Sequence, residues 1–230
     1  DRSPLFVRRE AQGAALLKAD EAARALPRLR PEELSWARPR PDDLASIVYT
    51  SGTTGFSKGV MLPHRSLCRN VLFAQGHMPL EAGDAIVSFL PLAHAFGCAF
   101  EFLFPVSVGC RIAFLDKTPS PQVILKAFAA ERPRLVLTVP LVLEKIYAKR
   151  VRPFLEKPVV KVLSKVPAIR RRIDALLREK LVGAFGGKVL EVVVGGAALN
   201  PAVEAFLTRI GFPVTVGYGM TECGPLLTYA

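Results

Sequence analysis

The densest chemistry in the sequence lies in one twelve-residue run, Tyr49-Thr-Ser-Gly-Thr-Thr-Gly-Phe-Ser-Lys-Gly-Val60, placed directly after an apolar stretch. Its glycines, Gly52, Gly55 and Gly59, permit tight turns and close approach of the backbone to a ligand. The hydroxyls of Thr50, Ser51, Thr53 and Thr54 can donate to oxyanions, and Lys58 adds a positive point charge. That inventory describes a phosphate cradle. It is not a Walker A loop, whose lysine is followed by Ser or Thr at the start of a helix; here Gly59 and a second apolar stretch follow Lys58. The plainer alternative is a Ser/Thr/Gly-rich turn with no ligand.

Three further segments carry reactive or hard-oxygen groups. Leu90-Pro-Leu-Ala-His-Ala-Phe96 presents His94 beside Phe and Ala, a setting that suits a satisfied core histidine as well as a site residue. Val193-Val-Gly-Gly-Ala-Ala198 ends an apolar strand on two glycines. Gly217-Tyr-Gly-Met-Thr-Glu222 places Thr221 and the Glu222 carboxylate between an apolar strand and Cys-Gly-Pro, where an acid has no obvious structural purpose. Tyr218 has a duller use as core. Phe100, Phe102 and Phe104 alternate in an apolar stretch, where packing is the ordinary use.

These groups must be held by a scaffold, and the pattern from residue 42 onward indicates one. Short β-rich runs at 46–50, 60–62, 85–90, 111–115, 135–139, 189–194 and 213–216 alternate with helical patterns at 66–75, 121–131, 141–150 and 201–210. Strands alternating with helices predict an α/β fold with mixed or parallel sheets covered on both faces. Asn200-Pro201 and Ser120-Pro121 read as an N-cap followed by proline at the first helical position. Residues 1–41 are Ala-, Arg- and Pro-rich, with a helix expected over 12–26 and four prolines after it, so they read as a lead-in connection. Residues 85–110 are apolar with Glu101 as the one full charge, but Pro91, Gly97 and Pro105 break the run, which predicts buried core and not a membrane span.

Composition narrows the class. The 230 residues are 50% hydrophobic and 22% charged, which excludes disorder and allows a sizeable core. Cys68, Cys98, Cys110 and Cys223 form no C-x-x-C pair and have no His at ligand spacing, so they read as buried thiols of a reduced, cytosolic protein. Between Lys145 and Lys188 there are 13 Lys/Arg against three acids, so this block alone supplies +10 of the chain's net charge of +11. Such a block suits anionic lipid, a phosphorylated ligand or nucleic acid, and its bland reading is a solvated face. Aromatic residues are sparse in it (Tyr147, Phe154, Phe185), which argues against a base-stacking platform for nucleic acid.

The four motifs, in this order from Tyr49 to Glu222, resemble those of adenylate-forming (AMP-binding) enzymes: acyl-CoA synthetases, peptide-synthetase adenylation domains and luciferases. Thr138-Val-Pro-Leu-Val-Leu-Glu-Lys-Ile-Tyr147, the basic insertion at 145–188 after it, and the 217–225 segment are most similar to bacterial long-chain fatty acid CoA ligases. One departure is Ser57, where the family usually has proline; it should loosen the loop slightly.

The resemblance implies the large N-terminal domain of such an enzyme, with residues 42–230 as a partial AMP-binding core. It implies that Thr50, Ser51, Gly52, Thr53, Thr54, Gly55 and Lys58 hold the β- and γ-phosphates of ATP, that Thr221 contacts phosphate and that Glu222 helps hold Mg²⁺. Tyr218 would pack against adenine, Gly195, Gly196 and Ala197 would leave room for the ring, and Gly219 and His94 would border the carboxylate and acyl tunnel. The implied reaction activates a fatty acid with ATP to an acyl-adenylate, then passes it to coenzyme A. Acyl loading onto a carrier protein and a non-catalytic basic module that docks on membrane or nucleic acid are the competing readings. The chain lacks an initiator Met, and the family's ribose-binding Asp, hinge and C-terminal lid would come after Glu222. A piece of a longer protein is therefore expected, unable by itself to complete thioester formation, prone to self-association through exposed apolar surface, and cytoplasmic or peripheral at the inner membrane face.

Overall fold

A computed structural model describes residues 39–51 and 57–229. The lead-in helix expected over 12–26 lies outside them, as does the tip of the glycine-rich run. Strands β1 (Leu44–Ser51) and β2 (Ser57–Pro63) pair antiparallel, with Thr50 opposite Lys58 and Ser51 opposite Ser57. The strand expected only at 60–62 thus begins three residues earlier. Helix α1 (His64–His77) leads to β3 (Ala85–Ser88), which pairs parallel with β4 (Arg111–Phe114). Between those strands runs a helical stretch, α2, made of Ala95–Gly97, a π segment Cys98–Leu103 and Phe104–Val108.

The main sheet follows. Strands β5 (Leu135–Thr138), β6 (Glu191–Val194) and β7 (Val214–Gly219) pair parallel, and β8 (Leu226–Tyr229) joins β7 antiparallel, in the order β5-β6-β7-β8. Helices α3 (Pro121–Glu131) and α4 (Pro140–Arg150) flank β5; α5 (Arg152–Leu155), α6 (Pro158–Leu163) and α7 (Pro167–Ala184) fill the basic block; α8 (Pro201–Arg209) connects β6 to β7. The sheet is α/β with parallel and antiparallel pairs, as the alternating pattern predicts.

Side chains alternate across the central strands and build two cores. Val136, Val192 and Val194 face one cluster with Ile124, Phe128, Leu177, Leu181 and Phe185, while Leu135, Leu137 and Val193 face another with Ile86, Phe100 and Phe104. The first is tied by aromatic contacts, Phe128 against Phe185 at 5.3 Å and Phe185 against Phe212 at 5.3 Å between centroids. Burying large side chains on both faces fixes the register of β5 and β6, since a one-residue slip would exchange the two cores. The hairpin differs: Val48 and Leu62 are buried on one side, but Ile47, Tyr49 and Met61 are exposed on the other. Coverage on both faces therefore holds for the central strands and not for β1–β2.

Two helix starts form as the sequence indicates. The Asn200 Oδ1 accepts from the Ala202 and Val203 amides at 2.9 and 3.4 Å, and the Ser120 Oγ accepts from the Val123 amide at 3.3 Å. No cysteine is fully buried, against the expectation: Cys68 is exposed and the other three are intermediate, Cys110 packing against the edge of one core. Burial nonetheless pushes the Cys98 and Cys110 thiols up from their usual range. Phe100 and Phe104 are fully buried and serve packing.

Candidate active site

The sheet brings motif segments to the carboxyl ends of its parallel strands, where α/β folds place ligands. After β5 comes Val139-Pro140, after β6 come Gly195, Gly196 and Ala197, and β7 ends in Tyr218 and Gly219 before the Thr221–Cys223 turn. The Gly195 amide donates to the Thr138 carbonyl at 3.0 Å, locking the first two segments together. A side chain at Gly195 would lie 3.0 Å from the Phe96 ring, so the glycine lets the 90–96 segment seat against the end of β6. The space beside Gly195 is thus taken by Phe96; Gly196 and Ala197 are open to solvent.

The phosphate-cradle residues stand on the hairpin. Thr50 and Lys58 face each other in register near its tip, with Ser51 beside them, and Lys58 and Ser51 are exposed. Gly52, Thr53, Thr54 and Gly55 lie outside the described residues. The Thr221–Cys223 turn packs against β2, and Glu222 and Cys223 share a hollow with Pro63 at the far end of that strand from Lys58. That turn is fixed from below. Buried Asn70 on α1 accepts from the Leu226 amide at 3.0 Å through its Oδ1 and donates to the Ser66 carbonyl at 3.0 Å through its Nδ2. Gly219 has no room for a side chain, since a Cβ would fall 1.9 Å from the Pro225 carbonyl oxygen.

Two hollows flank the hairpin. One of about 600 Å³ is lined by Arg65, Arg69, Asn70, Glu222, Cys223 and Tyr229 among others. Glu222 is exposed at its rim, and Arg65 pairs with Asp42. The other, about 290 Å³, lies between β1 and the 92–98 segment, with His94, Leu92, Ile47 and Tyr49 in its wall. His94 is exposed and is therefore not a core histidine; Tyr218, 59% exposed, is not core either. His94 and Glu222 line different hollows, so the structure does not bring the candidate residues together in a single cavity.

Glu101, which sequence reasoning noted only as a lone charge, proves to organise the 88–90 corner. It is fully buried on the π segment, and its Oε2 accepts from the Ser88 hydroxyl at 3.1 Å and from the Phe89 and Leu90 amides at 3.0 and 2.9 Å. Its Oε1 has no partner among the described residues. Burial pushes the carboxyl up to about 8 against the pull of those three donors. The strand expected to run to residue 90 stops at Ser88 because the next two amides turn to this carboxyl. Arg65 and Arg69 were also missed, although their i, i+4 spacing after the hairpin was readable.

The donor set fits a hard cation bound mainly through phosphates. Among the described residues no group of three or more His, Cys, Asp or Glu could hold a metal by itself. One carboxylate, Glu222, beside the Thr221 hydroxyl suits Mg²⁺, which commonly takes one or two protein carboxylates and the oxygens of a nucleotide.

A family model described as AMP-binding enzyme matches residues 6–230. The chain belongs to this family. Among curated relatives, long chain acyl-CoA synthetase 6, peroxisomal, of Arabidopsis thaliana is 34% identical, aligned over 80% of this chain and 28% of its own length. Long-chain-fatty-acid–CoA ligase 5 of Mus musculus is 31% identical, over 80% of this chain and 29% of its own. This AMP-binding chain thus spans under a third of the length of those relatives. Among solved structures, ATP-bound MatB from Rhodopseudomonas palustris superposes with a TM-score of 0.63 at 25% identity, covering 93% of this chain and 35% of that one. The N-terminal domain of FACL13 from Mycobacterium tuberculosis, at 21% identity and a TM-score of 0.59, shares the fold.

Proposed function

We propose that this chain is the nucleotide-binding part of a ligase that activates a long-chain fatty acid with MgATP and transfers the acyl group to coenzyme A. The observation that carries the reading is the β1–β2 register, which sets Thr50 and Ser51 opposite Lys58 and Ser57 at one end of the hairpin, in a chain that belongs to the AMP-binding family. In the first step a carboxylate oxygen of the acid bonds to the α-phosphorus while the bond to the departing pyrophosphate breaks. In the second the thiolate sulfur bonds to the carbonyl carbon, AMP leaves, and the thiol proton goes to solvent. No general base is needed in the first step, since the acid is ionised at neutral pH.

Lys58, Thr50 and Ser51 would neutralise and orient the phosphates, with the 52–55 residues completing the cradle; Mg²⁺ held at Glu222 would screen the phosphate charge. Tyr218, Gly196 and Ala197 would receive the adenine, while Gly219 and His94 border the acyl path. Long-chain acid is preferred to other acids because the curated relatives are named for it. The four unpaired cysteines suit a reducing cytoplasm, where we place the enzyme. A non-hydrolysable acyl-sulfamoyl adenosine tests the reading. A long acyl chain should bind about tenfold or more tighter than an acetyl group, because it buries many more methylenes; equal affinities would contradict the long-chain assignment.

A further inference from the structure

The basic block gives the molecule one face on which apolar and cationic side chains both turn to solvent. On α6, Val159, Val162 and Leu163 recur at i, i+3 and i+4 and so share a stripe, and Val166 follows in the turn to α7. They are 67%, 64%, 40% and 47% exposed. Val160 on the same helix is buried, so the helix is seated by that side and shows its other apolar residues outward. The same stretch carries Lys157, Lys161, Lys165, Arg170, Arg171 and Arg172, all exposed, with no acid anywhere from 157 to 172. Among the described residues the one carboxylate within 4.0 Å of these cations is Asp174, which reaches Arg170 and is shared with Arg209.

We propose that this face docks on an anionic lipid bilayer, with Val159, Val162, Leu163 and Val166 entering the boundary between headgroups and acyl chains and the cations gathering lipid phosphates. Charge decides the occupant. A second copy of this chain would bring the same uncompensated positive charge against the first. A nucleic acid would meet aliphatic side chains where stacking needs aromatic ones, and Phe154 is already covered by Lys157 and Lys180 at 5.9 and 5.7 Å. A bilayer with acidic headgroups accepts both halves of the surface. The inference does not rest on nucleotide binding, although a ligase acting on membrane-soluble acids gains from such a seat.

Sedimentation of the whole chain with vesicles tests it, using phosphatidylcholine alone and phosphatidylcholine mixed with phosphatidylglycerol, at about 0.1 M and about 0.5 M salt. Binding should appear on the mixed vesicles at low salt and fall at high salt. Lys157→Ala/Lys161→Ala/Lys165→Ala should weaken it about a hundredfold. Val159→Ser/Val162→Ser/Val166→Ser should weaken it at unchanged net charge; all six positions are exposed, and circular dichroism checks that both variants fold. Lys117→Ala/Lys126→Ala, outside the block, should bind like the unaltered chain. No binding at low salt, equal binding to neutral vesicles, indifference to the valine changes, equal loss in the Lys117/Lys126 variant, or tighter binding to duplex RNA than to the mixed vesicles would each overturn the proposal.

Discussion

Glu101→Gln exchanges a buried carboxyl for an amide of the same shape that cannot ionise. The amide oxygen can still accept from Ser88, Phe89 and Leu90, so the corner at 88–90 should survive. In the native chain the carboxyl titrates at about 8 and not at the usual 4.5, so the folded state holds this proton more tightly than the unfolded state. The sign follows: the site's contribution to stability is fully present below pH 4.5 and is lost as pH rises towards about 8, where the buried carboxylate finally forms. The gap corresponds to roughly 5 kcal/mol across the whole window, of which about 3 kcal/mol is lost by pH 7. Urea unfolding followed by circular dichroism at several pH values, on both proteins, reads the difference directly. Near pH 4.5 the two should differ little; by pH 8 the glutamine variant should be more stable by roughly 3 to 5 kcal/mol. A difference that stays within about 0.5 kcal/mol from pH 5 to pH 9 would mean that burial does not hold the Glu101 carboxyl protonated.

Three substitutions probe the scaffold of the site. Asn70→Ala removes the acceptor of the Leu226 amide inside the protein and should cost about 2 kcal/mol in urea unfolding, with faster hydrogen exchange at Leu226. Asn200→Ala removes the cap of α8 and should cost about 1 kcal/mol by the same assay. Gly219→Ala forces a Cβ onto the Pro225 carbonyl and must shift the 219–225 turn, so MgATP affinity should fall by about tenfold or more in calorimetry.

Much of the fold was legible because local and tertiary signals agree. Leu135–Thr138 and Glu191–Val194 are apolar, β-rich runs buried on both faces, and the Ser120 and Asn200 caps with their prolines mark α3 and α8 to within a residue. The three helices of the basic block were not expected. Each of them has a proline, Pro153, Pro158 or Pro167, in its first turn, where the missing amide costs nothing, and the sequence reading took the stretch only as a charged block. The start of β2 was missed because Ser57-Lys58-Gly59 has little β propensity and owes its conformation to pairing with Tyr49–Ser51. Strand β8 was missed because its four residues, which close an antiparallel hairpin on β7 across the Thr221–Cys223 turn, are too few to show an alternating pattern.

The candidate site was legible as motifs and not as an arrangement. Glycine and hydroxyl spacing located the cradle, but only the fold sets Thr221 and Glu222 against β2 and puts His94 and Glu222 beside different hollows. Glu101 shows why: a carboxylate in an apolar segment is visible in sequence, yet its three donors come from an element twelve residues or so away.

Calorimetric titration of the chain with MgATP, beside Lys58→Ala, reads where the nucleotide phosphates lie. Saturable binding is expected in the native chain, weakened about tenfold or more when the Lys58 charge is removed from the hairpin. Equal affinity in the two proteins would contradict it, because the nucleotide phosphates would then not lie at the Thr50/Lys58 end of β1 and β2.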